Sequence, residues 1–405
     1  MGKVWALGNI KFAEERIMSQ AALKIEPNLL DVSSALDTVS KYAAEGRKNR
    51  QISQEVMDAL VDTGYFLSFL PKQYGGLECT PQEFFKASID IAERDMGTAW
   101  MSGIIAVHAY QLALMDPQAA KDVYQENPNT MVCSSYNPVG AKVETVDGGF
   151  KLSGRWAWSS GSGHCSWALL GGLIFDQENN IHYRTFLVPK SDYIIEDTWN
   201  VMGLQGTGSN DVVIEEPVYV PEYRTHHQMD GFNRKHFQEN PMYSIPWAQM
   251  FVRVVCTPAI GAAKHALKLF IENANLSSTD QTRLAGDPDV TRRIAEASNL
   301  IDETEVIMFR NFDRLMEAVN GNGEISMDDR VRYRYQASLV IERMMSSVDL
   351  LFNVAGGRSV FNGAPIQDIW HDIHIARAHV ANSPVAYGRN MGAVLLGADS
   401  TDVFV

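Results

Sequence analysis

The chain has 405 residues, a formal charge of −14 and an apolar content of 45%, enough for two or three domains with sizeable cores, which argues against a disordered protein. With no dense Lys/Arg run, the acidic balance excludes a nucleic-acid backbone or an anionic membrane as the main partner. The four cysteines, Cys79, Cys133, Cys165 and Cys256, form no CxxC pair, so neither a disulfide framework nor a zinc site is expected, and a reducing cytoplasm fits.

The opening MGKVWALGNIKFAEERIMSQ has no apolar core followed by a small-residue cleavage site, so it predicts no export signal. Helical periodicity then runs through SALDTVSKYAAEGRK, SQEVMDALVDTGYF and TPQEFFKASIDIAERD, the last opened by Thr80 as cap and Pro81 in the first turn. Between the second and third lies LPKQYGGLECTP, a Gly-Gly turn. Residues 98–115, TAWMSGIIAVHAYQLALM, are nearly all apolar but carry His108 and Gln111 and lack charged flanks. They predict a helix buried on all sides rather than a membrane span. Residues 1–128 thus form an N-terminal helical domain.

Past Pro128 the pattern shortens to GGFKLSGRWAW, SWALLGGLIF, HYRTFLVP and NDVVIEEPVYVP, strands separated by Gly, Asn, Asp and Pro. Residues 129–225 read as a central β barrel or sandwich. The polar, aromatic-rich stretch 226–244 is either a lid or a plain connection. From 245 to 405 long helical segments return: TPAIGAAKHALKLFIENA, TRRIAEASNLIDETEVIMFRNFDRLMEAV, RYRYQASLVIERMMSSVDLLFNVAGG and PIQDIWHDIHIARAHVA.

No Ser-His-Asp elbow, P-loop or strand-linked GxGxxG is present. His371, His374 and His379, taken on one helix, span about 140° of arc and do not converge on one ion, so no metal is expected. His108 taken alone reads first as a core histidine bonded to a carbonyl, with the wall of a pocket shared with Trp100, Ile104 and Gln111 as the other reading. The stretches GRWAWSSGSGHCSW (154–167), CSSYNPVG (133–140) and WNVMGLQGTGSNDVVI (199–214) present tryptophans and small polar groups in turns. Together they suit one flat polar ligand, for which an isoalloxazine ring is a natural candidate.

The α, β, α order, FLSFLPKQYGG, the WSSG tetrad, GLQGTGSNDV followed by a VP pair, and WHDIHIARAH resemble the acyl-CoA dehydrogenase superfold. Within it, the chain is similar to the group D branch: oxygenase components of two-component flavin-dependent monooxygenases such as 4-hydroxyphenylacetate 3-hydroxylase, the secosteroid phenol hydroxylases and indole monooxygenases. The resemblance implies an α+β, acyl-CoA dehydrogenase-like fold with an N-terminal helical domain, a central β domain and a C-terminal four-helix bundle that assembles a homotetramer. It also implies a reduced flavin, FMNH2 or FADH2, delivered by a separate NAD(P)H:flavin reductase, and O2 as co-substrate, with hydroxylation through a flavin C4a-hydroperoxide.

Carried over residue by residue, Ser160 falls beside the flavin N5 as a hydrogen-bond donor, flanked by Trp158 and Ser159. Thr207, Ser209 and Asn210 lie in a turn that approaches the cofactor. Ser134, Ser135, Trp100 and Trp247 line the substrate site, with His108 or His374 as base or acceptor. His371 stands where the family has an arginine, and Ala248 follows Pro246-Trp247 where enzymes of carboxylate-bearing substrates place one, which favours a neutral phenol or indole. An acyl-CoA dehydrogenase needs a carboxylate base, and its two positions here hold Val380 and Phe251. An N-oxygenase of amines or amino sugars and a non-enzymatic scaffold are the other readings.

Overall fold

A computed structural model describes residues 30–175, 178, 180–227, 239–275, 284–321, 323–402 and 404–405. The opening twenty residues and most of the 226–244 stretch, read as a lid or a plain connection, lie outside the described residues.

Five helices come first: α1 (Ser33–Asn49), α2 (Gln54–Asp62), α3 (Pro81–Ala92), α4 (Met96–Ala113) and α5 (Pro117–Tyr124). The Thr80 cap is a full capping box, with the Glu83 N–H donating to Thr80 Oγ1 (3.3 Å) and the Thr80 N–H donating to Glu83 Oε2 (2.7 Å). Helix α4 is buried at every position, which explains its lack of an amphipathic pattern. Asp95 starts it, accepting from the Thr98 N–H at 2.8 Å.

Two four-stranded sheets follow, in the orders β1-β4-β5-β8 and β2-β3-β7-β6. The strands are β1 (Val132–Ser135), β2 (Ala141–Val146), β3 (Gly149–Ser159), β4 (Trp167–Phe175), β5 (Ile181–Pro189), β6 (Ile194–Glu196), β7 (Asn210–Pro221) and β8 (Thr225–His226). All pairs are antiparallel except β1 with β4, which run parallel with Val132 opposite Trp167. The β3–β7 register slips between Trp156 and Ser159. That irregularity throws Trp158 into the left-handed region, φ +67°, with 66% of its surface exposed, while Trp156 stays wholly buried.

The second helical part holds α6 (Trp247–Val254), α7 (Pro258–Ala274), α8 (Pro288–Asn320), α9 (Met327–Ser338), α10 (Val340–Phe352), α11 (Pro365–Ala376) and α12 (Pro384–Leu395). Helices α7, α8, α10 and α11 pack together as the bundle. Two expected segments are interrupted. The run from 332 breaks at Leu339, where the Ser338 hydroxyl donates back to the Tyr335 carbonyl (2.7 Å), a bond that bends helices. The run from 365 ends at Ala376, so His379 lies beyond the helix and a helical wheel does not describe its position relative to His371.

Helix α11 is clamped to the turn before β7. Gly203 lies so close that a Cβ would stand 2.4 Å from the His371 carbonyl oxygen, and the Leu204 N–H donates to Asp372 Oδ1 at 2.5 Å.

Candidate active site

Helix α4 serves two adjoining surfaces. Its Met101 and Ile105 press on Gly161, where a Cβ would meet them at 2.9 and 2.8 Å, and so support the WSSG turn from below. One residue back on the wheel, Trp100, Ile104 and His108 face an aromatic cage.

In the WSSG turn, Trp158 offers an exposed flat face, the buried Ser159 hydroxyl faces the Cys133 thiol, and the buried Ser162 hydroxyl has no protein partner. An unpartnered buried hydroxyl beside an exposed indole fits a flat ligand edged with heteroatoms, which is the test a flavin must pass. Ser160 Oγ lies 2.8 Å from Ser209 Oγ, which lies 2.8 Å from Thr207 Oγ1. Thr207 and Ser209 thus stand behind Ser160 rather than beside it. Asn210 is committed elsewhere: its Oδ1 accepts the N–H groups of Thr198 and Trp199, both at 3.0 Å, and holds that loop.

The cage is built around Tyr136. Its ring centroid is 5.0 Å from Phe251, 6.4 Å from Trp247 and 6.2 Å from His108, and His379 lies 6.4 Å from Phe251 and 5.9 Å from Trp100. Tyr136 is fixed by donating to Gln111 Oε1 (2.5 Å), and Gln111 Nε2 in turn reaches Thr185 Oγ1 (3.1 Å). Burial pushes the Tyr136 phenol well above its usual pKa, with Ser134 beside it pulling the other way. Ser135 faces the other surface, donating to the Ala157 carbonyl at 2.7 Å.

The two cage histidines are complementary. His108 Nδ1 donates to the Val132 carbonyl (2.7 Å), which leaves Nε2 as a bare, buried, unpartnered acceptor. His379 Nδ1 accepts from the Ala381 N–H (3.2 Å), so its ring proton sits on Nε2 as a donor. Burial pushes both down to about 4, helped at His379 by Arg334, and both are neutral at pH 7. The Trp247 Nε1–H, like His108 Nε2, is buried without a partner. No cation among the described residues joins this ring of contacts.

His374 is not part of the cage. It stacks on Trp370 (3.8 Å between centroids), its Nδ1 donates to the Trp370 carbonyl (2.7 Å), and its Nε2 meets Asp349 at 3.4 Å. The histidine that WHDIHIARAH brings to the cage is His379, three residues beyond the helix end. The signal for it was in the sequence, because it adjoins Val380, one of the two positions at which the fold's dehydrogenases carry their base.

Asp372 is fully buried, and desolvation with Asp95 nearby raises its carboxyl to about 7. An unfolded carboxyl near 3.9 holds fewer protons than this native one between pH 4 and 7, so stability falls as pH rises through that window. Asp372→Asn is expected to melt progressively higher than the parent as pH goes from 4 to 8, as thermal denaturation at four pH values would record.

The acyl-CoA dehydrogenase C-terminal domain family matches residues 253–384. The chain is 35% identical to the flavin-dependent monooxygenase oxygenase subunit HsaA of Rhodococcus jostii over 92% of its own length and 99% of that protein's. It is 29% identical to the FADH2-dependent resorcinol hydroxylase oxygenase component of a Rhizobium strain, over 91% and 93%. The crystal structure of 3-HSA hydroxylase from Rhodococcus sp. RHA1 superposes with a TM-score of 0.87 at 34% identity, covering 91% of this chain and 96% of that one.

Proposed function

The chain belongs to the oxygenase components of two-component flavin-dependent monooxygenases built on the acyl-CoA dehydrogenase fold, and from that premise we propose that its own substrate is a small neutral aromatic carrying a hydroxyl or N–H. The protein uses reduced flavin and O2 and depends on a separate reductase. The observation that carries the substrate reading is the His108 Nε2 lone pair, buried and unpartnered at the wall of a cage without a cation.

Reduced flavin, when bound, supplies the two electrons that activate dioxygen; Trp158, Ser159, Ser160 and Ser162 would hold it. The cage residues do the rest. A phenol O–H donates to His108 Nε2, and the Trp247 and His379 N–H groups are free to donate to the substrate's oxygen atoms. Moving the proton outright from a phenol near 10 to an imidazole near 4 would cost about 8 kcal/mol. His108 therefore acts as an acceptor that takes the proton only as the ring gives up electron density. The aromatic walls keep water out.

An aryl carboxylate would find no cation among the cage's ring contacts, because Arg334, which acts there from beyond His379, is committed to the Ala381 carbonyl and the Tyr387 ring, and it would lose its hydration without compensation. With a flavin reductase, NADH and O2, a neutral phenol or indole is expected to be hydroxylated with a kcat/KM at least about tenfold above that of a carboxylate analogue of equal size, roughly the 1.4 kcal/mol that one unpaired charge costs at minimum. Equal rates would sink the neutral-substrate reading. Trp247→Phe should raise KM about fivefold with little change in kcat, the signature of a lost uniform contact.

The same reading includes a homotetramer and a cytoplasmic setting. Exposed Val385, Leu395 and Leu396 on and after α12, with Phe361 ahead of α11, offer apolar surface for subunit contacts, and all four cysteines are free and buried.

A further inference from the structure

The hydroxyls of Ser160, Ser209 and Thr207 form a line with steps of 2.8 Å, and Thr207 Oγ1 ends it by donating to the Leu204 carbonyl at 2.8 Å. Each hydroxyl has one proton. A carbonyl only accepts, so the Thr207 proton is committed to Leu204, and Thr207 must accept from Ser209. The Ser209 proton is then committed in turn, and Ser209 must accept from Ser160. The chain runs one way and leaves the Ser160 oxygen with a lone pair and no proton to give to a further partner.

We propose that this one-way hydroxyl chain makes Ser160 an obligate acceptor and so selects reduced over oxidised flavin, with Ser209 and Thr207 as its positioning residues. The inference rests on the reading of the WSSG turn as the flavin site. Reduction turns flavin N5 from a lone-pair acceptor into an N–H donor. An acceptor oxygen hydrogen-bonds to the reduced ring there and repels the oxidised one. The sequence reading cast Ser160 as a donor at this place; the proposal makes it an acceptor.

Two features keep the chain from reorienting. Ser160, Ser209 and Thr207 are 5%, 3% and 1% exposed, so water cannot insert and reset the proton order. The Gly161 N–H also donates to the Thr207 carbonyl at 2.8 Å, which ties the WSSG turn to the GTGSN turn and fixes the spacing of the hydroxyls. Removing the Ser209 hydroxyl frees the Ser160 proton, which can then be donated to oxidised N5. Removing the Thr207 hydroxyl lets Ser209 turn around and donate to Ser160, with the same result.

The test is equilibrium binding without turnover: dissociation constants for reduced and oxidised flavin, measured anaerobically on the full chain in the absence of substrate. The parent is expected to bind reduced flavin more tightly. The ratio of oxidised to reduced constants should fall about tenfold in Ser209→Ala and Thr207→Val, equivalent to one hydrogen bond of about 1.4 kcal/mol, and return in Thr207→Ser. Ser160→Ala, which removes the acceptor itself, should lower the ratio as well and carries the test if either of the other variants fails to fold. A ratio unchanged in Ser209→Ala and Ser160→Ala, with both constants measurable, overturns the hydroxyl chain while leaving the flavin site standing. A parent chain that binds neither flavin overturns both.

Discussion

Replacing His108 with Phe should leave reduced-flavin binding close to the parent level and cut hydroxylated product per flavin oxidised about a hundredfold, the lower end of what a positioned proton acceptor contributes. The missing product should reappear as hydrogen peroxide. His108 lies on α4 with its Nδ1 tied to Val132 and its Nε2 pointing at nothing the protein provides, so the loss falls on the substrate side. The substitution leaves the Val132 carbonyl unpaired, a penalty of about 1–3 kcal/mol, which a thermal melt separates from the chemical effect. His108→Asn can restore a donor toward that carbonyl and should regain stability without regaining product. Product yields within threefold of the parent would remove His108 from the chemistry.

Gly203→Ala is expected to force apart α11 and the turn before β7. Its Cβ would stand 2.4 Å from the His371 oxygen, 2.6 Å from the His371 carbonyl carbon and 2.9 Å from the Asp372 nitrogen. These are backbone atoms of α11, and no rotamer change relieves them. The helix must move away from the 203–207 turn, breaking the Leu204–Asp372 hydrogen bond. A loss of about 2–4 kcal/mol is expected from overpacking and the broken buried bond together, read as a lower urea midpoint. Flavin binding should weaken in parallel. Gly357→Ala is the control: a Cβ there meets nothing within 4 Å, and its midpoint should stay within about 0.5 kcal/mol.

Much of this was legible in the chain itself. The Thr80-Pro81 start, the buried helix around His108 and the passage from helix to strand to helix are written in local composition, where capping chemistry and periodicity act over a few residues. What stayed hidden depends on partners far away in sequence. His379 was masked because periodicity carried the helix past Ala376, and only the turn closed by the Ala381 N–H shows that the ring leaves the helix axis. Asn210 belongs to a conspicuous turn, yet its side chain serves the 198–199 loop. The direction of the Ser160 chain required knowing that Thr207 reaches back to Leu204. Motifs told which residues gather; they did not tell which atom of each faces the ligand.

The exposed indole of Trp158 bears on timing. The slip between β3 and β7 fixes the ring's outward direction in the backbone itself, so among the described residues an arriving flat molecule meets a finished platform. Capture can then run at the pace of collision rather than of a gating motion. For an oxygen-sensitive ligand handed over through solution, each interval spent waiting is an interval exposed to air, and a landing place that is always ready shortens it.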